Sequence, residues 1–301
     1  MMGQIAASWV ISPLMGGVIA ALVLAFIKPR IIYAEDKIAA ARFWVPVLVG
    51  LMGGAFSIYL LAKGLKHLVK LDTSTGIALG VGIGVLCWLL ARPVIARQSV
   101  GLENRKKSLK KLFAMPLVIA AGLLSFAHGA NDVSNAVGPL AAIVHALQTH
   151  GSAADVITVP LWVMVIGALG ISFGLMLFGP KLIRLLGNEI TKLNPVRAYC
   201  VALSAAVTVI IASWLGLPVS STHIAVGAIF GVGFYREYHS EKRKREAGLL
   251  KGDAAIAPEE RVRRKLVRRS HVLTMSAAWV ITVPATAIFA AVLYLLMNAA
   301  L

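Results

Sequence analysis

Long stretches of this chain are almost free of charged residues, and polar positions gather in the strips between them. The apolar stretches are residues 8–27, 43–62, 76–91, 112–144, 156–180, 198–235 and 271–297. A helix needs about 20 such residues to cross the hydrocarbon core of a bilayer. Most stretches meet that length, and 76–91 is marginal. The pattern predicts an all-α integral membrane protein, a polytopic helical bundle.

Composition supports this class, because 58% of the residues are hydrophobic and 14% are charged, against about 25% charged in soluble domains. The net charge of +17 comes from 30 Lys and Arg against 13 Asp and Glu. The basic residues lie between or at the ends of the apolar stretches, chiefly in 92–111 and 236–269. Such placement follows the positive-inside rule. We therefore expect lipid-facing cytoplasmic segments in a cell (inner or plasma) membrane, and no nucleic-acid partner.

These basic segments also orient the chain. With 92–111 and 236–269 inside, 28–42 lies inside as well and the N-terminus lies outside. The stretch 198–235 then begins and ends inside, so it makes two passes or a hairpin broken near Gly216. The strip 63–70 fits poorly, since its three lysines fall outside. Cys87 and Cys200 lie in apolar stretches, which favours core packing over a disulfide or metal pair.

A short internal similarity links the first and last apolar stretches. Residues 8–13 read Ser-Trp-Val-Ile-Ser-Pro, and residues 278–284 read Ala-Trp-Val-Ile-Thr-Val-Pro. The predicted topology sends these two helices in opposite directions. Related helices of opposite direction are typical of inverted-repeat transporters, which bind substrate near the middle of the membrane.

One acidic residue departs from the pattern, because Asp132 lies deep within the stretch 112–144. An acid at that depth costs ~2.5–3.5 kcal/mol on insertion scales and by default indicates a functional site. The alternative is a structural carboxylate that is protonated or paired with another helix. Gly129 and the Gly-Pro pair at 138–139 flank the acid, and they predict a broken or unwound helix whose free N–H groups face a cavity.

A second polar segment divides the stretch 198–235, where residues 216–223 read Gly-Leu-Pro-Val-Ser-Ser-Thr-His. A proline followed by hydroxyl residues predicts a helix N-cap. The same helix N-terminus is suited to bind an anion, so the two interpretations are compatible. His223 is equally open to a backbone hydrogen bond and to proton transfer.

The chemistry of these segments narrows the ligand class. The apolar stretches contain no Lys or Arg, so N–H and O–H groups would have to hold an anion. Asp132 would repel an oxyanion, and its sensible role is to hold a co-transported cation, Na⁺ or H⁺. Hard cations prefer carboxylate, amide and hydroxyl oxygens, which Asp132, Asn131, Asn135 and Thr222 supply. The residues indicate cation-coupled oxyanion symport without a bound cofactor.

At this point the chain resembles the inorganic phosphate transporter family. Residues 128–139 read His-Gly-Ala-Asn-Asp-Val-Ser-Asn-Ala-Val-Gly-Pro, and residues 218–223 read Pro-Val-Ser-Ser-Thr-His, roughly ninety residues later. Both segments are similar to signatures of that family. The resemblance implies low-affinity phosphate uptake coupled to Na⁺ or H⁺ on an inverted-repeat fold with re-entrant hairpins. It assigns cation and phosphate contacts to Gly129, Asn131, Asp132, Ser134, Asn135, Ser220, Ser221, Thr222 and His223.

Two departures from the family pattern are conservative, because Ser134 replaces Ala and Ser221 replaces Thr. A larger departure concerns the repeat. Each motif is expected twice, and the partners of Asp132 and Ser220 in the first repeat would fall before Met1. We therefore expect residues 1–111 to hold the end of an incomplete first repeat with connecting helices. Residues 112–301 would hold the second repeat, interrupted by the basic loop 236–270.

Alternatives with other functions remain at this stage. Sulfate shares the tetrahedral shape of phosphate, and the motifs do not separate the two anions. A non-transporting subunit or remnant would account for an incomplete repeat. An enzyme is not expected, because one embedded acid does not make an aspartyl protease and neither HExxH nor Gly-x-Ser-x-Gly occurs. A homo-oligomer stays open.

Overall fold

The structure, a computed structural model, describes residues 2–61, 72–148, 159–184, 193–217, 219–246 and 269–300. The first five helices are α1 (Met2–Ile27), α2 (Lys37–Tyr59), α3 (Thr73–Gln98), α4 (Lys106–Leu112) and α5 (Ala114–Gln148). The other helices of the described residues are α6 (Leu161–Arg184), α7 (Pro195–Trp214), α8 (Ser221–Glu246) and α9 (Arg269–Ala300). A π-helical turn, Lys28–Ile32, extends α1. The all-helical prediction is confirmed for the described part of the chain.

Seven of the described helical segments are long and apolar enough to cross a membrane, judged by length and composition. They are Ala7–Ile32, Lys37–Tyr59, Ser74–Gln98, Ala114–Gln148, Leu161–Lys181, Pro195–Trp214 and Val280–Ala299. The third segment has a mean hydropathy of 1.9, so the marginal stretch 76–91 belongs to a full-length span. The chain is a multi-pass membrane protein.

The helices α1 and α8 form a close pair. An added Cβ at Gly231 would lie 2.0 Å from the carbonyl oxygen of Gly17, and one at Gly227 would lie 2.1 Å from that of Pro13. Residue numbers increase together along both helices, from the contact of Gly227 with Pro13 to that of Gly231 with Gly17, so the two helices are parallel. Small residues let the two backbones approach this closely. Close approach strengthens the van der Waals packing that drives helix association in lipid, where the hydrophobic effect does not act between helices. On α7, the Ser204 hydroxyl donates to the Gly16 carbonyl.

A second glycine-lined pair, α2 and α3, is antiparallel. An added Cβ at Gly50 would meet the carbonyl of Gly84 at 2.9 Å, and one at Gly54 would meet that of Gly80 at 3.3 Å. An added Cβ at Gly53 would lie 2.7 Å from the Cys87 sulfur. Cys87 and Cys200 are both free, and Cys200 is buried. Their predicted packing role is confirmed.

The three segments predicted to lie on one side of the membrane meet at one end of the bundle. The Asn104 side chain accepts from the Lys37 N–H at 2.9 Å, and it donates to the Glu35 carbonyl at 2.7 Å. Lys106 and Arg243 both lie over the ring of Tyr33, at 4.9 and 4.8 Å. These contacts join 28–42, 92–111 and the start of 236–269. That this end faces the cytoplasm stays a prediction.

The predicted loop boundaries need correction at two of these segments. Residues 236–246 are not loop, because α8 continues through them to Glu246. Much of 92–111 is helical as well, in the last turns of α3 and in α4. Charged residues with good helix propensity extend a helix beyond its apolar part. The strip 63–70 and residues 247–268 of the basic loop lie outside the described residues.

Candidate functional site

The site begins on α5, where His128, Asn131 and Asp132 fall within five consecutive positions. Residues three and four apart share one face of a helix, so the imidazole, the amide and the carboxylate point to the same side. That side faces the junction between α7 and α8. The polar cluster therefore lies at a contact between two helical segments rather than on a face turned to lipid.

The predicted break in α5 is wrong. The helix is continuous over 35 residues, from Ala114 to Gln148, with Pro139 inside it. Within the expected gap, the methyl groups of Val133 and Val137 lie against Gly167 of α6. Such packing holds a helix together through a proline, at the cost of one backbone hydrogen bond. At about 1.5 Å per residue α5 spans about 52 Å, longer than a ~30 Å hydrocarbon core.

The predicted break between α7 and α8 is confirmed. Gly216 has a φ of 68°, a left-handed conformation that glycine adopts without steric cost. The helix resumes at Ser221, and the Ser220 hydroxyl accepts from the backbone N–H of His223 at 3.3 Å. Ser220 is therefore the N-cap that the sequence predicts. A helix start leaves backbone N–H groups without partners inside the helix.

Asn131 joins α5 to this break. Its amide nitrogen donates to Asp132 Oδ1 at 2.8 Å and to the carbonyl oxygen of Val219 at 2.7 Å. Both amide protons are thereby used, which leaves Oδ1 as the acceptor atom of the side chain. Asn131 is 4% exposed. The amide fixes the carboxylate and the chain just before α8 in one arrangement.

Ser221 and His128 hold the other carboxylate oxygen. The Ser221 hydroxyl donates to Asp132 Oδ2 at 2.9 Å, and His128 Nδ1 lies 3.1 Å from the same oxygen. His128 Nδ1 also contacts the Ser221 hydroxyl oxygen. Because a serine has one proton to donate, the three contacts are satisfied together when His128 carries its proton on Nδ1. Asp132 is thus bound by an amide, a hydroxyl and an imidazole.

The Asp132 carboxylate is hydrogen-bonded but not fully buried. The side chains of Asp132 and His128 are each 27% exposed, whereas Asn131 and Ser221 are buried. A partly open carboxylate beside amide and hydroxyl oxygens is the kind of oxygen donor set that hard cations prefer.

A cavity of about 1270 Å³ lies between α1, α8 and α9. Of the predicted site residues, it reaches Ser220 and His223. Its other walls are mainly apolar and include Trp9 and Pro13 of α1 and Val280 and Pro284 of α9. The two helices of the internal similarity thus border one space, although their descent from one repeat stays a prediction.

The structure does not bring every predicted residue to the carboxylate. The Thr222 side chain is exposed, and Ser221 occupies the place next to Asp132 instead. An added Cβ at Gly129 would meet nothing within 4 Å. Ser134 and Asn135 lie in α5, but their side chains fall outside the described residues.

Two groups that contact the site residues, His128 and the Val219 carbonyl, are not among the residues predicted from the sequence. The four-residue spacing of His128 and Asp132 was the available signal, because it places both on one helix face. Nothing in the sequence indicates the Val219 carbonyl, since its position depends on how α5 packs against the α7–α8 break.

Fold and site together define a polytopic helical membrane protein with a polar site where one apolar helix meets the junction of two others. Comparison with known sequences gives the particular family. A model described as "Phosphate transporter family" matches residues 1–290. The chain belongs to this family, and the recognition made from the two motifs is confirmed.

Individual relatives agree with this assignment. A putative phosphate permease of Helicobacter pylori is 51% identical over 255 residues, which are 84% of this chain and 48% of the relative. The chloroplastic inorganic phosphate transporter 2-1 of Arabidopsis thaliana is 32% identical, over 97% of this chain and 49% of its own length. The chain spans about half the length of these curated relatives.

A solved structure of a sodium-dependent phosphate transporter is similar in fold. The TM-score is 0.70 and the sequence identity is 29%, over 79% of this chain and 58% of the other. The helical transporter architecture expected from the sequence therefore agrees with an experimentally determined relative.

Proposed function

We propose that this chain carries inorganic phosphate across the cell (inner or plasma) membrane by low-affinity symport with Na⁺ or H⁺. The observation that carries the proposal is the Asp132 carboxylate, half-buried within an apolar helix and held at the start of α8 by Asn131 and Ser221. An acid at this depth indicates an ion pathway by default. The names of the relatives support phosphate as the substrate.

The cation would bind at Asp132. Suitable oxygens are its carboxylate, the Asn131 Oδ1 atom and the Ser221 hydroxyl, which lies where the sequence predicted Thr222. For Na⁺, the supporting observation is that the transporter of similar structure is named as sodium-dependent. For H⁺, the supporting observation is the 3.1 Å contact of His128 Nδ1 with Asp132 Oδ2, since histidine serves as a proton shuttle in proteins.

Phosphate would bind at the N-terminus of α8. The first N–H groups of a helix and its positive dipole end favour an oxyanion, and Ser220, Ser221 and His223 add polar groups there. Gly129, Ser134 and Asn135 belong to the proposed site through the motif on α5. A cation bound at Asp132 would offset the repulsion between its carboxylate and the phosphate. Binding of the cation would therefore favour binding of the phosphate, which couples the transport of the two ions.

Uptake by reconstituted vesicles tests this function. Purified chain in liposomes should take up labelled phosphate when an inward Na⁺ or H⁺ gradient is imposed, and the two gradients are compared separately. Asp132→Asn should reduce uptake to the level of empty liposomes, because the amide no longer balances a cation. Asp72→Asn is the matched control, since Asp72 is an exposed acid before α3.

Several results would contradict the proposal. Uptake that survives Asp132→Asn would remove the carboxylate from the mechanism. Uptake abolished by excess sulfate but not by excess phosphate would assign another anion. A wild-type chain that inserts correctly and transports nothing under either gradient would leave the non-transporting alternative.

A further inference from the structure

Four basic side chains meet at the end of the bundle remote from Asp132. Lys28 follows α1, Arg197 lies in the first turn of α7, and Arg236 and Arg243 lie on the polar part of α8. Lys28 lies within electrostatic range of all three arginines, and its ammonium group is 4.7 Å from the centre of the Tyr235 ring. We call these four residues the basic cluster.

Folding brings these like charges together and partly removes them from water. Lys28 is 8% exposed, and Arg197 and Arg236 are half-buried. Burial, followed by the charge of Arg197, lowers the pKa of Arg236 to about 10. Burial also lowers the pKa of His239, and Lys28 and Arg243 add to that effect. The charged forms of Arg236 and His239 are thus disfavoured, and burial of like charges is costly unless an anion compensates.

Membrane orientation does not account for the basic cluster. The positive-inside bias requires Lys and Arg in segments beside the membrane, where water can solvate them. Exposed lysines such as Lys107 and Lys110 on α4 meet that requirement. In the basic cluster, three separate helices converge instead and bury part of the charge.

Carboxylates on α8 do not cancel this charge. Glu246 lies 3.9 Å from Lys242, a residue outside the basic cluster. Even with the carboxylates of Glu237 and Glu241 counted against the four cations, positive charge is in excess among the residues that the structure describes here. Guanidinium and ammonium groups are the donors that proteins use for phosphate, because the arginine fork binds two oxygens at once.

We propose that the basic cluster is a binding site for a phosphate group, separate from the transport site. The phosphate would come from an anionic lipid headgroup or from free phosphate in solution, since the recognising chemistry is the same. Ser221 and Arg236 are about 22 Å apart along α8, at about 1.5 Å per residue. One anion cannot contact both sites, so the two sites bind separately.

Binding there would join the ends of three helices. An anion shared by Lys28, Arg197 and Arg236 replaces their mutual repulsion by attraction and connects α1, α7 and α8. Since α8 begins at the Asp132 site, the occupied basic cluster stabilises the frame that holds the transport site. A ligand that binds the folded state alone raises the unfolding midpoint as its occupancy increases.

Thermal unfolding of the full chain in nanodiscs tests the proposal and separates the two sources. Nanodiscs of phosphatidylcholine alone are compared with an equimolar mixture of phosphatidylcholine and phosphatidylglycerol, with tryptophan fluorescence as the readout. In a second arm, sodium phosphate is compared with sodium chloride at equal ionic strength in phosphatidylcholine nanodiscs. This arm is evaluated as the difference between the wild-type chain and the cluster variants, because phosphate binding at the transport site is common to both.

The test variants are Lys28→Gln combined with Arg236→Gln, and Arg243→Gln alone. Arg243 is exposed, so its replacement keeps the test informative if the double variant does not fold. Arg105→Gln is the matched control, because Arg105 is exposed and pairs with Glu103 at 2.8 Å. The ligand should raise the unfolding midpoint of the wild-type chain and of Arg105→Gln by about 3 °C or more.

The proposal is supported if the ligand no longer raises the unfolding midpoint of the cluster variants. If the increase and its loss occur with phosphatidylglycerol, the ligand is a lipid headgroup, and if they occur with sodium phosphate, it is free phosphate. An increase of equal size in wild-type and cluster variants overturns the proposal, because general surface charge would then explain it. Absence of any increase in the wild-type chain overturns it as well.

Discussion

The two segments that form the site differ in how they accommodate helix-breaking residues within an apolar sequence. Both α5 and the stretch from α7 to α8 contain glycine, proline and polar residues within an apolar sequence. In α5 the helix continues through Pro139 and presents Asp132 from the side. Between α7 and α8 the chain breaks at Gly216 and restarts with a capped helix end. The site forms where the side of one helix meets the end of another.

This difference shows what a helix break requires. Glycine and proline lower the stability of a helix, but packing against α6 and α7 is sufficient to keep α5 intact. The α7–α8 segment has two further devices, a left-handed glycine and a serine that satisfies a free backbone N–H. A break is stable where the freed backbone groups obtain new partners.

The largest effect is expected at the connection between the two segments. Asn131→Ala removes both amide donors and leaves the Val219 carbonyl and one Asp132 oxygen without them. We expect a loss of ~2–3 kcal/mol in unfolding free energy, the usual cost of unsatisfied buried polar groups. Unfolding in mixed detergent micelles measures it. Ser125→Ala is the control, because the Ser125 hydroxyl bonds within its own helix, to the Ala121 carbonyl at 2.9 Å. Equal losses in both variants would contradict the connecting role.

The next effect concerns the left-handed residue at the break. Gly216→Ala places a Cβ where the backbone φ is 68° and should cost ~1–2 kcal/mol. Gly216→Asn should cost less, because asparagine tolerates this conformation. The same unfolding measurement compares the two. If Ala and Asn are equally tolerated at no cost, the chain does not need a left-handed residue there.

A smaller effect is expected from the helix cap. Ser220→Ala removes the acceptor for the His223 N–H and should cost about 1 kcal/mol, whereas Ser220→Thr keeps a capping hydroxyl. Stability is the readout, since Ser220 is also a proposed phosphate contact. A loss of the same size in the Thr variant would show that steric fit, and not capping, is the contribution of this residue.

The smallest effect tests whether α5 is continuous. Gly129→Ala should raise stability by about 0.5–1 kcal/mol, because the added methyl meets open space and alanine is the better helix former. Gly122→Ala on the same helix also meets open space and should give the same gain. A loss at Gly129 with a gain at Gly122 would indicate a break in α5 beside Asp132.

Much of the architecture could be predicted without coordinates. Apolar length predicted the spans, and the basic segments predicted which connections meet at one end, as the contacts of Asn104 and Tyr33 confirm. The isolated acid and the Pro-Val-Ser-Ser motif located the two halves of the site. These inferences succeed because lipid imposes one strong rule, that charge is costly inside the membrane.

The remainder depended on contacts between distant segments. Whether Gly129 and Pro139 interrupt α5 is decided by the methyl groups of Val133 and Val137 against α6. Ser221, and not Thr222, lies beside Asp132 because the capped start of α8 sets the rotation of that helix. Neither outcome follows from local propensity, since each depends on a neighbouring helix.

By itself, the sequence determined the class of the molecule, its helical spans and the residue types of its polar site, because transfer between water and lipid depends on composition along the chain. The tertiary structure decided which oxygens surround Asp132 and which cations meet at Lys28. Those choices depend on where helices far apart in sequence approach each other, and close packing through glycines such as Gly17 and Gly231 sets that approach.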